Sequence, residues 1–405
     1  MEPSVLTLVS PAGIDNPHPT YQLLQKTDPV HWSEPLQAWF VTAHEDVWSI
    51  YRDPRFSADR TDLFVQHQLR GIDPSIAKDY LRLARSMIVM KDGAEHARLR
   101  KHENRALSQT NVDRWRPMVR QVITDLLDKV QDKGKMDVVA DISQPLPSLV
   151  LTQMFAIPAA DRTKFQEWAD DASAFFGVTP ENVETIARKA NAAMVELELY
   201  MTAIIEERRR KPGDDLVSSL IDYEGRGMLS KDELVANAIH ILIAGHVTTI
   251  DQFSNGVFDL LTHPSELARL KADPKLLSHA VEEVIRFNPS VPFMHRIAIE
   301  DVKLRGKVVK KGQLVFLGMA AANLDPSVFP KADTFDITRP VGKHLSFGAG
   351  PHTCVGAGLG RRELEIGFEQ LFARMPALRL DENNPPKRRA NGLTFRGFGT
   401  LPVLF

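Results

Sequence analysis

The chain has 405 residues, 43% apolar and 25% charged, with a formal net charge of −2. That balance excludes a basic nucleic-acid-binding protein, and the length sits at the upper end of what one core supports. The first apolar stretch, Val5 to Val9, is too short for a secretory signal. No window approaches the ~18 apolar residues of a membrane span. A single cysteine fits a reducing compartment, so a cytoplasmic protein outside the membrane is expected.

Along the chain, Thr20 to Lys26 reads as a helix, followed by strand-like Val30 to Trp32 and Ala38 to Thr42. Asp53-Pro54-Arg55-Phe56 is a turn, and residues 61–90 read as a long connection of mixed character. Residues 94–210 are mostly helical, with breaks at Pro145, Pro158 and Pro180, and Lys211 to Asp215 is a turn. Residues 230–262 form a long apolar helix. Ser230 with Glu233 three residues on makes a capping box at its start, and its length and apolar character suit a central, buried helix. His263-Pro264 ends it. A helix over 275–287 follows, then short strands and turns to about 340, a Gly-rich loop, a helix to about 374 and a terminal β region. The pattern is mainly α with a small segregated β part.

The one cysteine, Cys354, lies in the segment from Phe347 to Gly356, in a Gly-rich loop directly ahead of the last helix. A lone thiol makes no internal disulfide and no multi-cysteine metal cluster. Unpaired amides and the dipole at a helix N-terminus favour an anion, and so a thiolate able to ligate haem iron. The alternative is a small buried core cysteine. The flanking residues decide between them. Phe347-Gly348, Gly350, His352, Cys354 and Gly356 stand at the spacing Phe-Gly-x-Gly-x-His-x-Cys-x-Gly, which closely resembles the haem-ligand signature of the cytochrome P450 superfamily. The resemblance runs from about residue 16 to the C-terminus. It implies the superfamily's triangular-prism fold, one domain over 1–405, haem b as cofactor and Cys354 as its proximal ligand. Phe347, Gly348 and Gly356 shape the loop around that ligand.

Other motifs are weaker alone. Glu283 and Arg286, spaced i,i+3, share a helix face. A solvated surface pair is the plain alternative, but the position matches the superfamily's Glu-x-x-Arg motif. Arg339 matches the arginine that completes its ion-pair network, and the three are expected to be structural. His96 and Arg100, spaced i,i+4, present two cations on one face, and cationic donors suit the two haem propionates. The resemblance gives them that role and adds Arg296 and His352. His344 is expected to bond locally or lie near the haem edge.

Ala244-Gly245-His246-Val247-Thr248-Thr249 falls midway along the long helix. Ala244 and Gly245 leave room for a flat ring and dioxygen, and Thr248 carries a hydroxyl; a helix contact through small residues is the alternative. The segment resembles the oxygen-activation sequence of the superfamily, yet Val247 stands where an acid belongs and relays no proton. Thr248 with ordered water, a polar group of the substrate, or non-standard chemistry would each answer that loss. His246 is a candidate compensating relay, but it stands one residue off the direction of Val247. By position the resemblance places a substrate pocket among Met87, Ile88, Phe175, Phe176, Ile241, Ala244, Val247, Val291, Phe293, Met294 and Phe395, although each also reads as ordinary core.

These features together imply a soluble haem-thiolate monooxygenase. It would insert one atom of dioxygen into an apolar small molecule, with electrons from a ferredoxin or flavodoxin and a separate reductase. Lys343, Arg361 and Arg362, with Arg98, Lys101 and Arg105, are candidates for steering that partner. The rivals are a peroxygenase, oxidative coupling, nitric oxide chemistry, or a haem-based gas sensor.

Overall fold

The computed structural model describes residues 4–63, 68–175, 182–225, 228–389 and 393–405. Phe176 and Pro180 lie outside them. Twelve described helices reach eight residues or more: α1 His18–Thr27, α2 Lys78–Ser86, α3 Gly93–Ala106, α4 Gln109–Asp128, α5 Pro145–Met154, α6 Arg162–Ala174, α7 Val183–Arg210, α8 Leu216–Gly225, α9 Lys231–Thr262, α10 Pro264–Ala272, α11 Leu277–Phe287 and α12 Ala357–Arg374. The strands are β1 Val30–Ser33, β2 Ala38–Val41, β3 Phe56–Ser57, β4 Lys135–Asp137, β5 Phe293–Ala298, β6 Val302–Leu304, β7 Lys307–Val309, β8 Leu314–Gly318, β9 Arg379–Leu380, β10 Lys387–Arg388, β11 Phe398–Thr400 and β12 Pro402–Leu404.

The chain divides into two compact units. The first comprises Met1–Phe56, Arg116–Leu146 and Thr248–Phe405. Its main sheet runs β1-β2-β8-β5-β3. Every residue of β2 is buried, because β1 pairs antiparallel on one side and β8 parallel on the other. Phe40 stacks on Phe316 at 4.5 Å, and Phe293 meets Phe40 edge-on at 5.6 Å. The C-terminal half of α9 lies close against α12. A Cβ on Gly256 would sit 2.4 Å from the Phe368 ring, and one on Gly367 would sit 2.2 Å from the Phe253 ring. Only glycine permits that approach.

The second unit, Ser57–Trp115 and Pro147–Val247, consists of helices and their connections among its described residues, with Ser57 the one residue there in a strand. α7 packs along α6, α8 and α2. Asn191 on α7 caps α2 by accepting the Asp79 and Tyr80 amides at 2.8 and 3.1 Å. The capping box of α9 is formed: Glu233 N–H donates to Ser230 Oγ at 3.2 Å, and Ser230 N–H donates to Glu233 Oε2 at 2.8 Å. One sequence expectation needs correcting. α9 is long and apolar enough to pass for a membrane span, but two-thirds of its most apolar window is buried inside the protein, as in a core helix.

Candidate active site

The cysteine loop is built by backbone. Cys354 N–H donates to Phe347 O at 2.8 Å, Gly348 N–H to Leu345 O at 2.7 Å and Thr353 N–H to Gly350 O at 3.2 Å. Gly348 and Gly350 both hold φ +68°, and a Cβ on Gly350 would lie 2.8 Å from Tyr51 O. The loop therefore requires glycine twice, once for a left-handed turn and once also for a close approach. Gly356 caps α12 two residues after Cys354, and a Cβ there would touch Sγ at 3.9 Å. The thiol is exposed. That overturns the buried-core alternative.

Around the loop, the Arg361 guanidinium lies 4.6 Å over the Phe347 ring, and that of Arg296 lies 5.1 Å over Tyr51. Tyr51 in turn packs beside Gly348. Arg296 is 3% exposed, a buried cation on β5 brought to the loop through Tyr51. His352 closes a single 3-10 turn just before Cys354. His344 bonds locally, with Nε2 3.0 Å from Glu282 Oε2.

Beneath the loop, Glu283, Arg286 and Arg339 come together. Arg286 Nε and Nη2 each donate to Glu283 at 2.7 Å, and Arg339 Nε approaches both carboxylate oxygens at 3.3 and 3.2 Å. The remaining guanidinium donors reach the carbonyls of Asn323, Ala332, Thr334, Pro330 and Lys331. Asn323 ties this cluster to the loop: its Oδ1 accepts Leu345 N–H at 2.6 Å, and its Nδ2 donates to Arg286 O and Ser346 Oγ. Sequence reasoning missed Asn323, Tyr51 and Glu282, none of which belongs to a local pattern. Burial pushes the Glu282 carboxyl up, but hydrogen bonds from His344 and Arg361 outweigh it and hold it at about 2.

In the second unit, His96 and Arg100 lie on α3, His96 buried and Arg100 half-buried. On α9, Ala244 is exposed and Thr248 half-buried within an otherwise largely buried stretch, whereas Val247 is buried. Ala244 therefore marks an open face of the helix. Gly245 faces elsewhere: a Cβ would meet Leu151 of α5 at 3.3 Å. His246 also points away, its Nε2 3.0 Å from Asp170 Oδ1 on α6, so it does not replace the missing acid.

The expected pocket residues divide. Met87, Ile88, Phe175 and Ile241 are buried in the second unit, with Phe175 edge-on to Tyr80 at 4.9 Å. Asn237 holds the 86–88 segment, accepting Ile88 N–H and donating to Ser86 O. In the first unit Val291, Met294 and Phe395 are half-buried. Phe293 is 1% exposed and meets Tyr21, Phe40 and Phe316 edge-on. The basic residues are also less free than their number suggests. Arg361 pairs with Glu282, Arg362 with Glu365 and Arg98 with Glu233, leaving Lys343, Lys101 and Arg105 exposed.

Residues 63–396 match the family described as Cytochrome P450. The chain belongs to the cytochrome P450 family. It is 33% identical over 397 residues to the "Biotin biosynthesis cytochrome P450" of Bacillus subtilis, covering 97% of each chain. It is 34% identical to the "Mycinamicin IV hydroxylase/epoxidase" of Micromonospora griseorubida, over 95% of this chain and 94% of that one. The crystal structure of epothilone D-bound P450epoK superposes with a TM-score of 0.91 at 28% identity, over 100% of this chain and 98% of the other. The fold is thus that of the cytochromes P450, and the activity that of an oxidoreductase of the monooxygenase class with haem as cofactor. Residues of the first unit fit that group. An exposed thiol at a helix N-terminus suits an iron ligand, and the buried guanidinium of Arg296 suits a carboxylate.

Proposed function

We propose that this P450 monooxygenase oxygenates an apolar small molecule, taking electrons from a separate ferredoxin or flavodoxin in the cytoplasm. The whole chain then works as one haem-thiolate domain, and the family match runs through residues of both units. The observation that carries the reading is Cys354, exposed on a glycine-shaped loop at the start of α12. Cys354 would ligate haem b, with His96, Arg100, Arg296 and His352 toward its propionates. A thiolate-ligated haem supplies the electron donation that favours O–O cleavage, so that one atom enters the substrate and the other leaves as water. Ala244 keeps the helix face open, and the Thr248 hydroxyl orients a proton there.

The test is spectroscopic. The reduced protein with carbon monoxide should show the red-shifted Soret band of thiolate ligation, and Cys354→Ser should lose it; an unchanged spectrum in that variant overturns the assignment. A spectral-shift screen of fatty acids, macrolactones and steroids on the ferric protein then supplies a turnover substrate. With it, Thr248→Ala should consume reductant while releasing hydrogen peroxide in place of product. Val247 favours one second reading, a peroxide-driven enzyme. Product formed from hydrogen peroxide as fast as from reductant and dioxygen would select that reading.

A further inference from the structure

We propose that His240 and Glu103 form the proton-supplying pair that stands in for the acid missing at Val247, His240 passing the proton and Glu103 positioning it. The proposal rests on the monooxygenase reading above. His240 and Val247 are spaced i,i+7 on α9 and so lie on one face of the helix, about 10 Å apart along its axis. Ala244, between them, is exposed. His240 therefore stands on the face where the family pattern places its acid, two turns toward the N-terminus.

Its surroundings are unusual for a structural histidine. His240 Nδ1 lies 3.9 Å from Glu103 Oε1 on α3, an ion-pair separation, with His240 at 16% and Glu103 at 4% side-chain exposure. Among the described residues neither Glu103 oxygen has a hydrogen-bond partner, and His240 Nδ1 has none either, so the two groups face each other with their hydrogen-bonding capacity unspent. Nε2 is bonded to no protein group among the described residues. Glu103 thus stands on the Nδ1 side of the ring, where it can position the imidazole, and the Nε2 side is left for proton exchange.

The step balances simply. The imidazolium gives its Nε2 proton to a water that leads toward the Thr248 hydroxyl. The ring is left neutral with Nδ1–H toward Glu103, and solvent returns a proton to Nε2. The carboxylate keeps its charge throughout. His246, the other histidine of this segment, is excluded by its bond to Asp170.

The test has two arms on the intact haem protein. In the first, nitrogen-15 NMR of the reduced carbon monoxide complex reads the His240 tautomer. Nδ1 should be protonated in the native protein, and Glu103→Leu should move the neutral ring to the Nε2–H form. In the second, coupling is measured as product per reductant consumed, with the substrate from the ligand screen. His240→Gln should lose coupling by about tenfold or more, with binding affinity held within about twofold, and Val247→Asp added to His240→Gln should restore it. Native coupling in His240→Gln overturns the proposal. So does weakened binding with coupling intact, which assigns His240 to substrate recognition, and so does a tautomer indifferent to Glu103→Leu. Failure of the parent reading shows separately, as absence of the thiolate carbon monoxide band in the native protein.

Discussion

Glu283 in the first unit and Glu103 in the second are each 3% exposed, yet the protein treats these two buried carboxylates in opposite ways. Glu283 accepts from Arg286, Arg339 and the Asp336 amide. Every lone pair is directed and its charge is balanced. Among the described residues Glu103 has one histidine at ion-pair distance and no hydrogen bond. A saturated buried charge holds chain segments in register, because any movement leaves a donor or acceptor stranded. An unsaturated one retains unspent hydrogen-bonding capacity, which costs stability and leaves its partner responsive to a proton. The difference separates a structural site from one poised for chemistry.

Three variants break or sharpen that contrast. The largest effect is expected for Glu283→Ala, which strands two guanidinium groups at a cost of about 3–5 kcal/mol. Little folded, haem-loaded protein should accumulate, and a normal yield with full haem content would show that the cluster is dispensable.

Glu282, held at about 2 by His344 and Arg361 against an ordinary value of 4.5, is the intermediate case. Its folded-state value is depressed, so its stabilisation is complete above pH 4.5 and is lost as pH falls toward 2. Denaturant unfolding of the native protein should lose up to about 3 kcal/mol across that window from this group. Glu282→Gln should flatten the acid slope; an identical slope in the variant argues against the His344 and Arg361 bonds in solution.

The smallest effect is expected for Glu103→Leu. Replacing an unsatisfied buried carboxylate by an apolar side chain of similar size should change stability by between zero and about 1 kcal/mol in the stabilising direction. Thermal unfolding checks it, and a loss resembling that of Glu283→Ala would mean that Glu103 is saturated after all.

What the sequence determined by itself is local. The capping box at Ser230 and Glu233, the stop at His263-Pro264, the i,i+3 pairing of Glu283 with Arg286 and the glycine-shaped cysteine loop all depend on residues within a few positions of one another, where helix and turn geometry fix who meets whom. The loop's spacing also carried the family, and with it the haem. The tertiary structure decided the rest. Arg339, placed in the network beforehand by the family resemblance alone, reaches Glu283 across 56 residues, Asn323 joins the charge cluster to Leu345, Tyr51 links Arg296 to Gly348, and His240 meets Glu103 across 137 positions (240 − 103). It also turned His246 toward Asp170. Such meetings depend on how whole helices and strands pack, and no spacing along the chain encodes which side chain will arrive from a distant element.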